Sequence, residues 1–118
     1  MSKLNFKSVS ILGLTGLLAL AFIAAGVSKL MGVEQTVLPF ERMGMPLMAK
    51  IVGLLEIAGA VGLFIPQFRF LAALGLSATM VGAAGYHLTL DPEMAVIPAL
   101  VLLVLTGALT WVRRPSLA

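Results

Sequence analysis

Cysteine is absent from this chain, and histidine, tyrosine and tryptophan occur once each. Without cysteine the chain has no disulfide, no thiol redox chemistry and no thiolate metal site. A single histidine also argues against a transition-metal site built from protein ligands alone. The sequence shows no nucleophile–base pair, no metal cluster and no phosphate-binding loop, so it does not predict an enzyme that works by itself.

Charged residues are scarce as well, at 11% of the 118 residues, whereas soluble domains carry about 25%. Hydrophobic residues make up 60%, and the mean hydropathy is +1.09. The net charge of +3 comes from basic residues at the ends of apolar blocks, with no basic stripe and interleaved aromatics, so nucleic acid is not a predicted partner. The composition instead predicts a small multi-pass protein embedded in a lipid bilayer.

Four apolar segments of about 20 residues are each long enough to cross a ~30 Å hydrocarbon core: roughly 8–31, 47–65, 68–90 and 92–112. The connector Pro66–Arg69 is so short that the second and third segments form an antiparallel hairpin. Asp91-Pro92-Glu93 has the pattern of a helix start, and Pro98 is expected to bend the last helix. We therefore predict an all-α fold, a single domain over 1–118 that forms an integral membrane antiparallel four-helix bundle.

The connector from Gly32 to Pro46 is the only long one, and it mixes apolar residues with glutamate and arginine. This mixture favours a short interfacial or re-entrant helix over a free loop. The apolar stretch from Val9 to Val27 is longer than the ~7–15 residues of a signal-peptide core, so we expect the first helix to remain uncleaved.

The basic residues predict the orientation of the bundle. If both termini are cytoplasmic, the inner side carries no acidic residue and these basic ones: Lys3, Lys7, Arg69, Arg113 and Arg114. The outer side then carries the acidic residues Glu34, Glu41, Asp91 and Glu93, together with Arg42, Lys29 and Lys50. This asymmetry follows the positive-inside rule, so we predict cytoplasmic termini.

Glu56 lies in the second segment, about nine residues or ~13 Å below the outer boundary. A carboxylate at such depth costs roughly 2.5–3.5 kcal/mol on insertion scales and usually has a partner. The candidate partners are Lys29, near the outer end of the first segment, and His87, beside Tyr86 at the end of the third. Small residues lie three or four positions before each of the three polar residues, so we expect these side chains to point inward.

Simpler interpretations stay open for this polar group. Lys29 is near enough to a helix end to extend its amine to the headgroups, and His87 is near enough to the surface to be solvated. Glu56 lies too deep, and its side chain is too short, for its carboxylate to reach the headgroups or the water at the surface. A Glu56–Lys29 pair could nevertheless serve only to fix the helix register.

Five segments, in this order and spacing, resemble the DoxX-like family of small four-helix membrane proteins: AGVSKL at 25–30, MGMP at 43–46, VGLLEIAGAVGLFIP at 52–66, LAALGL at 71–76 and GAAGYHL at 82–88. The resemblance covers roughly residues 10–112. It implies a bundle in the bacterial inner membrane with Lys29, Glu56 and His87 as its polar centre. It also implies a link to quinone-associated or other membrane-bound oxidoreductases, or to the assembly of membrane proteins. A redox role would need an external cofactor or partner subunit.

Two functions are therefore expected. In the first, a pocket walled by Phe22, Met80 and Tyr86 and floored by Glu56 holds a quinone-like or other lipid-soluble molecule. In the second, the chain is an accessory or assembly subunit, or a homo-oligomer, in which Glu56 and Lys29 act as a structural clasp. A transporter or channel function is less well supported, because the inner half of the apolar segments has no series of polar residues to carry a solute across the membrane.

Overall fold

The computed structural model of the protein describes residues 5–90 and 96–115. Within these ranges the chain forms helices and no strands, which confirms the all-α prediction. The five helices are α1 (Phe6–Met31), α2 (Glu34–Arg42), α3 (Pro46–Gly62), α4 (Arg69–Thr89) and α5 (Val96–Arg113). The helix start predicted at Asp91-Pro92-Glu93 lies outside the described residues.

The ends of α1 follow from local chemistry. Asn5 caps its first turn, because the Oδ1 atom accepts a hydrogen bond of 2.8 Å from the backbone N–H of Ser8. Gly32 ends it in the left-handed conformation, with φ at 77°, which a residue without a side chain adopts without strain. The short helix expected in the long connector is α2, which begins two residues after Gly32.

Helix α3 begins with Pro46 at its first turn and ends at Gly62, three residues before the predicted end. The reason is Pro66, since a proline disfavours helical geometry in the residue before it. The chain between α3 and α4 instead makes tight turns, in which the N–H of Phe64 bonds to the carbonyl of Val61 and the N–H of Ile65 to that of Gly62.

Three helices, α1, α4 and α5, are long and apolar enough to cross a membrane. Helix α3 is shorter, with 17 residues, and its sequence is apolar except for two charged residues, Lys50 and Glu56. Large hydrophobic side chains are exposed along all of these helices, for example Leu20, Leu71 and Val104. Such surfaces suit lipid rather than water, and they indicate a multi-pass membrane protein.

The four longer helices contact one another around a common core. Helix α1 packs most extensively on α3, and α4 on α5, while α3 contacts α4 and α1 contacts α5 less extensively. Helices α4 and α5 run antiparallel, as Ser77 in the first half of α4 lies 3.2 Å from Thr110 near the end of α5. Helices α1 and α3 do so too, as Lys50 near the start of α3 donates over 3.4 Å to the carbonyl of Leu30 near the end of α1. The core includes Leu18 and Phe22 of α1, Leu76 of α4 and Leu109 of α5.

Helices α1 and α3 touch through their backbones. A Cβ atom built on Gly26 would lie 2.5 Å from the carbonyl oxygen of Gly53, and one built on Gly53 would lie 2.8 Å from that of Gly26. No side chain fits at either position without moving the helices apart. The two glycines therefore fix where α1 and α3 cross.

Gly26→Ala should destabilise the protein by about 1–3 kcal/mol, the usual effect of forcing extra atoms into a packed contact. Chemical unfolding in detergent micelles measures this change. Gly16→Ala is the matched control on the same helix, because nothing lies within 4 Å of a Cβ atom at Gly16. Equal stability of the two variants would contradict the close crossing.

Candidate functional site

A buried ion pair lies beside the glycine crossing. The Nζ atom of Lys29 donates to Oε1 of Glu56 over 2.8 Å. The two side chains are 14% and 2% exposed, respectively. Each charged residue follows its contact glycine by three positions, and a helical side chain leans toward the N-terminus of its own helix. Since α1 and α3 run antiparallel, the two side chains lean toward each other across the crossing.

The carboxylate of Glu56 is only half engaged by this pair. Within the described residues no hydrogen bond reaches its second oxygen, Oε2. A carboxylate can accept several hydrogen bonds, so this oxygen is available to a further donor.

Next to the ion pair is a cavity of about 800 Å³. It is bounded by the end of α1, by α2 and the segment that follows it, by α3 as far as Glu56, by the second half of α4 and by Pro98 of α5. Its charged and polar lining consists of Lys29, Gln35, Thr36, Arg42, Glu56, Thr79, Tyr86 and His87. The rest of the lining is apolar. The cavity therefore has a small polar region and a larger apolar wall, a combination typical of small-molecule sites.

Tyr86 and His87 line this cavity, and each carries one unsatisfied polar atom. Their rings pack edge to face with centroids 5.4 Å apart. The Tyr86 hydroxyl and the His87 Nδ1 atom are both buried, and neither has a hydrogen-bond partner within the described part of the chain. A buried polar group without a partner costs roughly 1–3 kcal/mol. Such groups at a cavity are expected where a ligand completes the hydrogen bonding.

Methionine forms much of the apolar wall. Four of the seven methionines in the chain line the cavity, namely Met43, Met45, Met48 and Met80. A flexible thioether side chain adapts to occupants of different shape. The wall is therefore compatible with a ligand whose apolar part is not rigidly matched.

The residues predicted from the sequence fall into two places. Lys29, Glu56, Met80, Tyr86 and His87 all line the cavity. Phe22 does not: it lies in the hydrophobic core and is 1% exposed. Whether this set forms a functional site stays a prediction.

Sequence reasoning missed the contribution of α2 and of the segment that follows it. Six of the nine residues of α2 line the cavity: Gln35, Thr36, Leu38, Pro39, Phe40 and Arg42. The sequence predicts only a topological role for Arg42, and no periodic pattern in α2 indicates its contact with the cavity. Among the described residues, no group of three histidine, aspartate or glutamate side chains could hold a metal ion.

Lys29→Met should cost about 3–5 kcal/mol, because it leaves the carboxylate of Glu56 buried without its partner. The double variant Lys29→Met with Glu56→Gln should recover most of that loss, since no charge then remains buried. Unfolding free energies of the wild type, both single variants and the double variant in detergent give the coupling. Additive effects would show that the pair does not interact.

The DoxX-like family model matches residues 13–109, which is most of the chain. No curated protein and no solved structure matches it.

Proposed function

The chain belongs to the DoxX-like family, and we propose that it binds a small lipid-soluble, quinone-like molecule in the cavity beside the ion pair. The observation that carries this proposal is that Tyr86 and His87, each with a buried and unpartnered polar atom (Oη and Nδ1, respectively), line the same cavity as Lys29 and Glu56.

A quinone-like head group matches these atoms. Its carbonyl oxygens accept hydrogen bonds, and Lys29 and Tyr86 can donate them. In the reduced form its hydroxyl groups donate, and Oε2 of Glu56 can accept. The volume of about 800 Å³ is within the roughly 300–1,000 Å³ common for ligand sites. The chain supplies no redox group among these residues, so electrons would come from a partner oxidoreductase.

We also propose that α1, α3, α4 and α5 cross the bacterial inner membrane as one four-helix domain with both termini in the cytoplasm. Helices running in these directions place Lys7, Arg69 and Arg113 at one end. The opposite end carries α2 with Glu34 and Glu41, as the positive-inside rule requires. The cavity then lies in the outer half of the bilayer, with α2 at the interface.

Single cysteines test this orientation, because the chain has none of its own. Val33→Cys should react with a membrane-impermeant maleimide added to the periplasmic side of spheroplasts. Pro115→Cys, near the other end, should react only after the membrane is permeabilised. The reverse labelling pattern would contradict the proposed orientation.

Tyr86→Phe separates an effect on ligand binding from an effect on packing. It should weaken ligand binding, but it should not lower the stability of the ligand-free protein. Loss of the unpartnered hydroxyl should leave the ligand-free protein as stable as the wild type or up to about 1–3 kcal/mol more stable. Loss of one hydrogen bond to the ligand should weaken binding about three- to tenfold. The probe is dimethoxy-methyl-benzoquinone, the tailless head group of ubiquinone, measured by thermal shift and equilibrium binding in detergent.

Two further variants complete this experiment. Glu56→Gln should abolish the protection against heat that the quinone gives, and Trp111→Phe, on the exposed end of α5, should change nothing. If Tyr86→Phe and Glu56→Gln both bind the quinone as the wild type does, the cavity is not its site.

An accessory or assembly subunit of a larger membrane complex is the second candidate function. It is favoured by the ion pair, which joins α1 to α3 without any ligand, and by the large exposed hydrophobic side chains that a partner could cover. A Glu56→Gln variant that keeps quinone binding but loses a co-purifying subunit would support this function. Retention of the subunit with loss of quinone binding would exclude the clasp as the essential role.

A further inference from the structure

A second, apolar recess between α3 and α4 adjoins the cavity at Thr79. This recess has a volume of about 590 Å³, and Thr79 lines both it and the cavity. The residues of α4 that line the two spaces follow one another along a single helical face, from Leu71 through Gly75 and Thr79 to Tyr86. The two spaces therefore follow each other along α4 and meet at Thr79, and we call them together the cleft.

The lining contributed by α3 also changes along the helix. Met48, Val52 and Glu56 line the cavity, whereas the α3 residues that line the recess are Leu55, Ala58, Gly59, Val61 and Gly62. Helix α3 thus borders mainly the polar space with its first part and the apolar space with its last part. The packing between α3 and α4 is also less extensive than in the pairs α1–α3 and α4–α5.

The chemistry changes sharply along the cleft. Beyond Thr79 the lining of the recess is entirely apolar. The Thr79 hydroxyl donates a hydrogen bond of 3.0 Å to the carbonyl of Gly75 in the same helix. Its donor is therefore already satisfied. Gly59 and Gly62 bring α3 against α4 here, since a Cβ atom on them would lie 2.8 Å from Leu76 and 3.0 Å from Ala72, respectively. Open space remains at Gly75, where nothing lies within 4 Å of a Cβ atom. From Leu71 to Thr79 the helix rises about 12 Å at 1.5 Å per residue, the length of a short acyl or isoprenoid tail.

We propose that the ligand is an amphiphile with one long apolar tail, and that the recess between α3 and α4 holds this tail while the head group lies in the cavity. The proposal rests on the proposed function, because the head group needs the polar end of the cleft. It assigns the recess to the same molecule because the two spaces share Thr79 and follow each other along one face of α4. A compact polar solute would leave the recess empty.

Two quinones with the same head group test this assignment: the tailless dimethoxy-methyl-benzoquinone and its decyl derivative. Binding is measured in lipid nanodiscs and expressed per mole of lipid-dissolved quinone, so that membrane partition does not count as affinity. The decyl form should bind the wild type at least tenfold more tightly than the tailless form.

Gly75→Leu should remove this advantage by filling the recess, with about a tenfold loss for the decyl form and no change for the tailless form. The variant should fold, since nothing lies within 4 Å of a Cβ atom at Gly75 and leucine is a better helix former than glycine. Gly85→Leu is the matched control on the same helix, equally open and lining neither space. It should bind both quinones as the wild type does.

A diazirine at the end of the decyl tail gives an independent reading. After illumination, labelled peptides should come from residues 55–65 and 71–79. Unchanged decyl binding in Gly75→Leu, or labelling confined to α1, α2 or α5, would overturn the tail assignment while leaving head-group binding intact. If neither quinone binds the wild type, the proposed function fails and the tail assignment fails with it.

Discussion

The ion pair between Lys29 and Glu56 depends on a backbone contact, and the rest of the site depends on the pair. Two charges in an apolar surrounding are stable only when their geometry is good. That geometry is set by Gly26 and Gly53, which bring α1 and α3 together three residues before each charged side chain. A wider crossing would leave the amine and the carboxylate apart, and the carboxylate would then lack its partner at depth. The pair also fixes one corner of the cavity, because both of its side chains line it.

The helices divide into two closely packed pairs with a looser contact between them. Helix α1 is held on α3 by glycine contacts and the ion pair, and α4 is held on α5 by extensive packing that includes Ser77 and Thr110. The cleft between α3 and α4 lies where these pairs meet. Polar groups line one end of this cleft and apolar groups the other.

The sequence was informative where a single residue broke a strong pattern. Glu56 stood out because a carboxylate in an apolar run is costly, and the demand for a partner led to Lys29, which the structure places at 2.8 Å. Tyr86 and His87 were found by their depth and position, although nothing in the sequence showed that their polar atoms are left without partners.

The parts that sequence reasoning missed depend on how elements pack. An aromatic side chain such as Phe22 could line a pocket or fill the core. Only the packing of α1 shows that Phe22 belongs to the core. The wall contributed by α2 follows from how that helix folds over α3, a tertiary contact that hydrophobic periodicity does not encode. Pro66 accounts for the early end of α3 at Gly62, but the apolar run continues to Ile65 and concealed this boundary.

The methionine wall gives the cavity a chemical vulnerability as well as flexibility. Met43 and Met45 are more than a third exposed, and a thioether is oxidised to a sulfoxide that is polar and chiral. An oxidant that reached these two methionines would make the apolar wall of the cavity more polar, without breaking the ion pair or unfolding a helix. Occupancy of the cavity would then depend on the oxidation state of its wall, and methionine sulfoxide reductases could restore it.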